Sequence, residues 1–162
     1  MRAAFWTLLG LAVAFLLASG LSRVSPGAAR FFDPFLLVVV YCALVGGENH
    51  GMLAGVAAGW IEDVHFGGTL LGLTALTDVL IGFVIGFAGT RFLLAGSTSR
   101  LLVLFLATLT QALLLAWSAS IFDIPVQALS LSGLLIRSIA NSVVGVFAFD
   151  LVDARVLKAA RV

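Results

Sequence analysis

The sequence predicts an all-α integral membrane protein, a compact bundle of six transmembrane helices in a single domain, 1–162. Of its 162 residues, 62% are hydrophobic and only 10% are charged, and the mean hydropathy is +1.19, far more apolar than a soluble domain. Charge-poor runs follow one another along the whole chain without a linker. The net charge of +1 and the lack of a basic cluster argue against nucleic acid as a partner.

The first predicted helix, residues 3–22, follows Arg2 and ends near a small-residue site, a pattern that signal peptides share. Its apolar run from Ala3 to Leu21 is longer than the apolar region of a signal peptide, and further apolar segments follow. We therefore interpret it as a membrane helix that is retained in the protein.

The second and third predicted helices, residues 34–47 and 51–66, are short, since about 20 apolar residues are needed to cross about 30 Å of hydrocarbon. Gly46 and Gly47, followed by three polar residues, predict a tight turn between them. One helix from Pro34 to Ile61 is the alternative. It would give five spans and place the polar residues near the middle of the bilayer.

Residues 69–92, 100–122 and 130–151 form the fourth to sixth predicted helices, each long enough to span the membrane alone. The distribution of Lys and Arg is compatible with six spans and a cytoplasmic N-terminus, which we prefer, and with five spans and an external N-terminus. Both arrangements place the C-terminal tail and the 91–100 connection in the cytoplasm.

Small residues recur at every fourth position on two predicted helices. They are Gly10, Ala14 and Ala18 on the first helix and Gly47, Gly51, Gly55 and Gly59 on the third. Helices in lipid associate through close van der Waals contact, and such lines let two backbones approach. We expect most of the glycines to pack inside the bundle and one line, on the first or third helix, to dock a partner helix.

Two ionisable residues fall at similar depth inside predicted helices. Asp78 and Arg137 both lie roughly 10 to 14 Å from the same membrane face. Since a lone buried charge is unfavourable, we expect an ion pair that fixes the register of the two helices, with Asn141 beside it. A substrate or proton site is the alternative. Asp63, which closes the third helix, is expected to accept hydrogen bonds from the Gly67–Gly68 turn.

The sequence does not indicate an enzyme. Glu62 and His65 have Glu-x-x-His spacing, and Glu48 and His50 add metal-type ligands, but the two glutamates lie about 20 Å apart along the helix. No nucleophile with its base, P-loop or dinucleotide fingerprint is recognisable. We predict no catalytic residue, no metal site and no cofactor.

The central segment FDPFLLVVVYCALVGGENHGMLAGVAAGWIEDVHFGGTLLGLTAL combines three features. An acid and a proline open the second helix, a glycine-spaced third helix ends in Asp, and Gly-Leu-x-x-Leu enters the fourth. The residues concerned are Asp33, Pro34, Gly47, Gly51, Gly55, Gly59, Asp63, Gly68, Gly72, Leu73 and Leu76. In these features the chain resembles the bacterial rod shape-determining protein MreD family.

The resemblance implies a non-catalytic, multi-pass inner-membrane protein of the cell-wall elongation machinery, similar in fold to the six-helix substrate-binding subunits of energy-coupling-factor transporters. It implies binding to the single membrane helix of MreC, and through MreC a link from MreB to RodA and its penicillin-binding partner. A homodimer is a further arrangement that the small-residue lines allow. The alternative function is a vitamin-type transporter subunit with a pocket near Asp63, His65, Asp78 and Arg137.

Overall fold

The computed structural model describes residues 2–65, 71–91, 96–123 and 130–159. Within these ranges the chain forms helices and no strand, which confirms the all-α fold class. The helices are α1 (Arg2–Val24), α2 (Pro26–Ala29), α3 (Pro34–His65), α4 (Leu73–Arg91), α5 (Ser97–Ile121) and α6 (Leu131–Ala159). Among the described residues, five helices, all except α2, are long and apolar enough to cross a membrane.

The predicted count of six membrane helices is not matched, because the second and third predicted helices are the two arms of one 32-residue element, α3, which is broken at Gly47. The three polar residues after Gly47 continue the helix instead of forming a turn. Gly47 itself leaves helical geometry, at φ 76° and ψ −170°, a conformation that glycine adopts without a steric penalty. The break therefore takes one residue and separates a first arm, 34–46, from a second arm, 48–65.

The two arms of α3 fold back on each other. The Cβ of Ala43 lies 2.8 Å from the position that a Cβ would take on Gly51, whereas these residues would be about 12 Å apart along a straight helix. Glu62, near the end of the second arm, lines the same cavity as Asp33. Both ends of α3 therefore lie at one end of the molecule. The first arm is about 20 Å long, short of the roughly 30 Å of hydrocarbon.

α4 packs antiparallel along the second arm, backbone against backbone. The pairs in contact are Gly51 with Gly82, Gly55 with Asp78, and Gly59 with Ala75. A Cβ on Gly55 would lie 2.6 Å from the carbonyl carbon and oxygen of Asp78. The spacing of the glycines thus sets the distance between these two helices.

The helix ends define two ends of the bundle, which we call the Gly47 end and the Asp33 end. At the Gly47 end, the hydroxyl of Tyr41 donates a hydrogen bond to Asp153 Oδ1 at 2.9 Å, and Arg100 Nη2 pairs with Asp153 Oδ2 at 2.6 Å. These contacts join α3, α5 and α6 close to the helix break. The Asp33 end holds the starts of α3, α4 and α6.

Several observed helices differ in length from the predicted spans, because hydropathy predicts the apolar span and not the helix. α6 continues beyond 151 to Ala159 through charged residues, since Lys and Arg are good helix formers. α5 begins at Ser97 and α4 at Leu73. The predicted limits at 66, 69 and 92 lie outside the described residues.

Candidate functional site

A polar network joins four helices near the Asp33 end. Asp33 caps α3, since its Oδ1 accepts the backbone N–H of Leu36 at 3.0 Å. Its Oδ2 forms a salt bridge with Arg137 Nη2 on α6 at 2.8 Å. The backbone N–H of Asp33 donates to Asn141 Oδ1, also on α6, at 3.0 Å. One residue thus fixes the start of α3 against α6.

Gln111 on α5 connects this salt bridge to Asp78 on α4. Its Oε1 accepts a hydrogen bond from Arg137 Nη2 at 3.3 Å, and its Nε2 donates to Asp78 Oδ1 at 2.9 Å. The structure therefore brings Asp78 and Arg137 into one network, but Arg137 pairs directly with Asp33 and not with Asp78. Sequence reasoning missed Gln111, although it is the single amide in the fifth predicted helix, 100–122.

The network is closed to solvent except at one residue. Asp33 is 3% exposed and Asp78 and Asn141 are fully buried, whereas the side chain of Arg137 is 19% exposed. Within the described residues, Asp78 Oδ2, Arg137 Nε and Glu62 Oε2 are buried and have no hydrogen-bond partner. An unpaired buried polar atom is unfavourable by roughly 1–3 kcal/mol. The network therefore contains three polar atoms whose hydrogen-bonding capacity the described part of the chain does not use.

A cavity of about 300 Å³ lies beside the network at the Asp33 end; we call it the polar cavity. Its charged lining residues are Arg30, Asp33, Glu62 and Arg137, and Ser22 adds a hydroxyl to an otherwise apolar wall. Two of the unpaired atoms, Glu62 Oε2 and Arg137 Nε, belong to these lining residues. Both atoms are themselves buried, so they lie in the wall of the cavity and are not open to it.

An apolar groove of about 570 Å³ runs between α1, the first arm of α3, and α6. In the described part of the chain, α1 and α6 each contact α3 but not each other. The lining extends from Trp6 and Gly46 near the Gly47 end to Phe32 and Pro34 near the Asp33 end. Phe32 and Pro34 also line the polar cavity, so the groove and the cavity adjoin at these two residues.

The glycine line of α3 faces α4. Gly47 lies next to the side chain of Thr90, and Gly51, Gly55 and Gly59 meet backbone atoms of α4. The chain itself covers this surface, which overturns the expectation that the line could dock a partner helix. These glycines pack inside the bundle.

The small residues of α1 lie beside the groove and the cavity. A Cβ on Gly10 would be 3.4 Å from Val38 Cγ1, an ordinary contact with the first arm of α3. Ala14 is 2% exposed and Ala18 is half-buried. Gly10 and Ala14 line the groove, and Ala18 lines the polar cavity. Of the two predicted docking lines, this one remains next to open space.

Asp63 holds the start of α4 and is separate from the network. Its carboxylate accepts the backbone N–H groups of Gly72 at 2.8 Å, Thr74 at 3.3 Å and Ala75 at 3.4 Å. The unpaired N–H groups at a helix N-terminus favour such a negatively charged acceptor. The Gly67–Gly68 turn, where donors were expected, lies outside the described residues.

The Glu-x-x-His pattern at the end of α3 does not assemble a set of metal ligands. The ring of His65 packs against Phe15 with 4.6 Å between ring centroids. Within the described ranges, no group of three or more His, Cys, Asp or Glu side chains could hold a metal ion.

Five membrane-length helices, four of which are joined by a buried polar network, define a multi-pass membrane protein. The sequence matches the family model of the rod shape-determining protein MreD over residues 1–150, so the chain belongs to the MreD family. The resemblance of the central segment is thereby confirmed. MreD proteins are structural, shape-determining proteins of the bacterial inner membrane, not known as enzymes, and members of the shape complex with MreC. No curated protein and no solved structure matches the chain.

Proposed function

We propose that this protein is a non-catalytic scaffold of the cell-wall elongation complex and that its groove holds the single membrane helix of an MreC-like partner. Membership of the MreD family supports the kind of complex. The groove is the observation that supports this docking site, because it is apolar and follows three helices from one end of the bundle to the other.

The walls of the groove suit a helix in lipid. Helices in a bilayer associate through close contact and not through the hydrophobic effect. Gly10 and Ala14 leave little side chain between the α1 backbone and the groove. Val13 and Val144, on opposite walls, are 49% and 42% exposed, and a docked helix would cover both.

The basic residues support an orientation for the complex. Arg91 and Arg100 flank the connection at the Gly47 end, and α6 ends on the same side with a basic tail. With these residues in the cytoplasm, the Gly47 end faces MreB filaments. The Asp33 end then faces outward, toward the external part of the partner and toward RodA and its penicillin-binding partner.

Two neighbouring valines of α6 test the docking site. Val144 lines the groove, and Val143, 57% exposed, lies outside it. With the tagged full chain in membranes, Val144→Trp should reduce recovery of the single-span partner at least about tenfold, because the indole fills the groove. Val143→Trp should leave recovery unchanged. Equal recovery of the partner with both variants would exclude the groove as the docking site.

The same purification separates this function from the transporter alternative. Recovery of a single-span protein with a large external part, together with MreB or RodA, supports the scaffold. Recovery of a pair of ATPases, or of a retained vitamin, would contradict the scaffold and favour a transporter subunit.

A further inference from the structure

We propose that the polar cavity binds the headgroup of phosphatidylethanolamine, a zwitterionic phospholipid. In this arrangement Arg30 and Arg137 hold the phosphate, and Glu62 accepts a hydrogen bond from the ammonium group. The lipid site is separate from the groove, so the inference does not depend on which helix occupies the groove.

The cavity lies at the level of the lipid headgroups. α1 has 23 residues and is about 34 Å long, slightly more than the roughly 30 Å of hydrocarbon, so its ends reach the membrane surfaces. Ser22, in the last turn of α1, and Arg30, in the connection to α3, both line the cavity. Its volume of about 300 Å³ is at the lower limit of small-molecule sites, roughly 300–1,000 Å³. The cavity is therefore suited in depth and size to one headgroup.

The two arginines provide donors that the described part of the chain does not use. Arg30 is exposed and has no ion-pair partner in the described ranges. Arg137 uses Nη2 for Asp33 and Gln111, whereas its Nη1 makes no hydrogen bond to a described residue and is not buried. Guanidinium groups suit phosphate oxygens because their donors form a planar fork.

The chain keeps the two arginines near each other. Arg30 precedes Asp33 by three residues, so their Cα atoms are at most about 11 Å apart. Asp33 Oδ2 is 2.8 Å from Arg137 Nη2, so the guanidinium of Arg137 lies beside the segment that carries Arg30. Because both side chains line one small cavity, they can hold a single phosphate between them.

Glu62 makes the cavity better suited to a zwitterion than to an anion. Its Oε2 is enclosed in the wall, whereas Oε1 makes no hydrogen bond to a described residue and is not buried. Asp33 adds no free acceptor, because Oδ1 accepts the N–H of Leu36 and Oδ2 pairs with Arg137. The described lining residues include two basic and two acidic side chains. A headgroup without net charge therefore leaves the cavity neutral, which is favourable near hydrocarbon.

Binding of two lipids to the full chain tests the inference. The purified protein in detergent is titrated with phosphatidylethanolamine or with phosphatidylglycerol, and bound lipid is measured by native mass spectrometry. Phosphatidylethanolamine should bind about tenfold more tightly, because the anionic lipid makes no charge-assisted hydrogen bond to Glu62. Equal binding, or tighter binding of phosphatidylglycerol, would overturn the inference.

Three variants assign the binding to the cavity. Arg30→Gln should weaken binding of both lipids about tenfold, because both carry a phosphate. Glu62→Gln should weaken only phosphatidylethanolamine and reduce its preference to about twofold or less. Arg23→Gln is the matched control, since Arg23 is exposed at the same end but does not line the cavity, and it should bind both lipids normally.

The remaining outcomes also bear on the inference. Arg30 and Arg23 are exposed, so both variants should fold and remain comparable even if Glu62→Gln does not. Equal losses with Arg30→Gln and Arg23→Gln would indicate a general attraction of lipid to basic residues and overturn the inference. Inorganic phosphate should not displace the lipid, because it lacks the ammonium group. Displacement by phosphate would make the cavity a site for a free anion and likewise overturn the inference.

Discussion

The interface between α3 and α4 and the groove between α1 and α6 are lined by small residues at the same spacing, yet the chain fills one and leaves the other open. Gly51, Gly55 and Gly59 meet the backbone of α4, so no space remains beside them. Gly10 and Ala14 pack on α3 but also border a volume of about 570 Å³. Small residues at four-residue spacing therefore indicate close approach, and only the packing of the bundle decides which helix approaches.

The largest expected effect is at the closed interface. Gly55→Leu should prevent recovery of folded protein, because its Cβ alone would lie 2.6 Å from the backbone of Asp78. Gly20→Leu is the control, since a Cβ there meets nothing within 4 Å. Gel filtration of the two variants in mild detergent measures the difference. A monodisperse Gly55→Leu protein would show that the interface is less closed than the structure indicates.

A second large effect is expected at the salt bridge between Asp33 and Arg137, at the Asp33 end of the groove. Arg137→Met should lower the free energy of unfolding by about 3–5 kcal/mol, because Asp33 is left buried without its partner. Asp33→Asn keeps the cap of α3, so the double variant should lose less than the sum of the single losses. Equilibrium unfolding in mixed micelles gives the comparison. Additive losses would argue against the salt bridge.

A double-mutant cycle of Asp78 and Arg137 tests whether these two residues pair directly or through Gln111. Gln111 stands between Asp78 and Arg137, so Asp78→Asn and Arg137→Met should couple more weakly than Asp33→Asn and Arg137→Met. If Arg137 couples more strongly to Asp78 than to Asp33, the direct ion pair predicted from the sequence would be supported instead.

A smaller effect is expected where the closed interface ends. Asp63→Ala removes the acceptor of three backbone N–H groups at the start of α4 and should destabilise the protein by about 1–2 kcal/mol. Asp63→Asn should lose less, because its amide oxygen still accepts. Thermal unfolding followed by fluorescence would rank the variants, and equal losses would mean that the charge matters more than the hydrogen bonds.

The smallest effect is expected on the open side. Gly10→Ala places a methyl group 3.4 Å from Val38, in ordinary contact, and should change the free energy of unfolding by less than about 1 kcal/mol. Gly51→Ala should be clearly worse, because Ala43 and the backbone of Gly82 leave no room for it. Similar losses at both positions, measured by the same unfolding assay, would remove the distinction between the two regions.

Composition and hydropathy were sufficient for the fold class and the membrane location, because lipid exposure requires long apolar runs. The family was indicated by the resemblance of the central segment. They also selected Asp78, Arg137 and Asn141, since polar residues inside apolar helices have to meet one another.

The salt-bridge partner could not be predicted in the same way. Asp33 lies before the apolar run, 104 residues from Arg137, and no periodicity connects them. The number of helices was missed for a local reason: polar residues after a double glycine are typical of a loop, yet here a positive φ at Gly47 turns the chain within one residue.

This one-residue reversal has a consequence for biosynthesis. A first arm of about 20 Å is too short to be held across the bilayer by itself, so residues 34–65 have to enter the membrane together as a hairpin. Truncated chains that end before Pro34 or after His65 should therefore persist in membranes, whereas chains that end at Gly47 should be degraded. A chain whose synthesis stops at the break in α3 should therefore be less stable in the membrane than one that stops before or after α3.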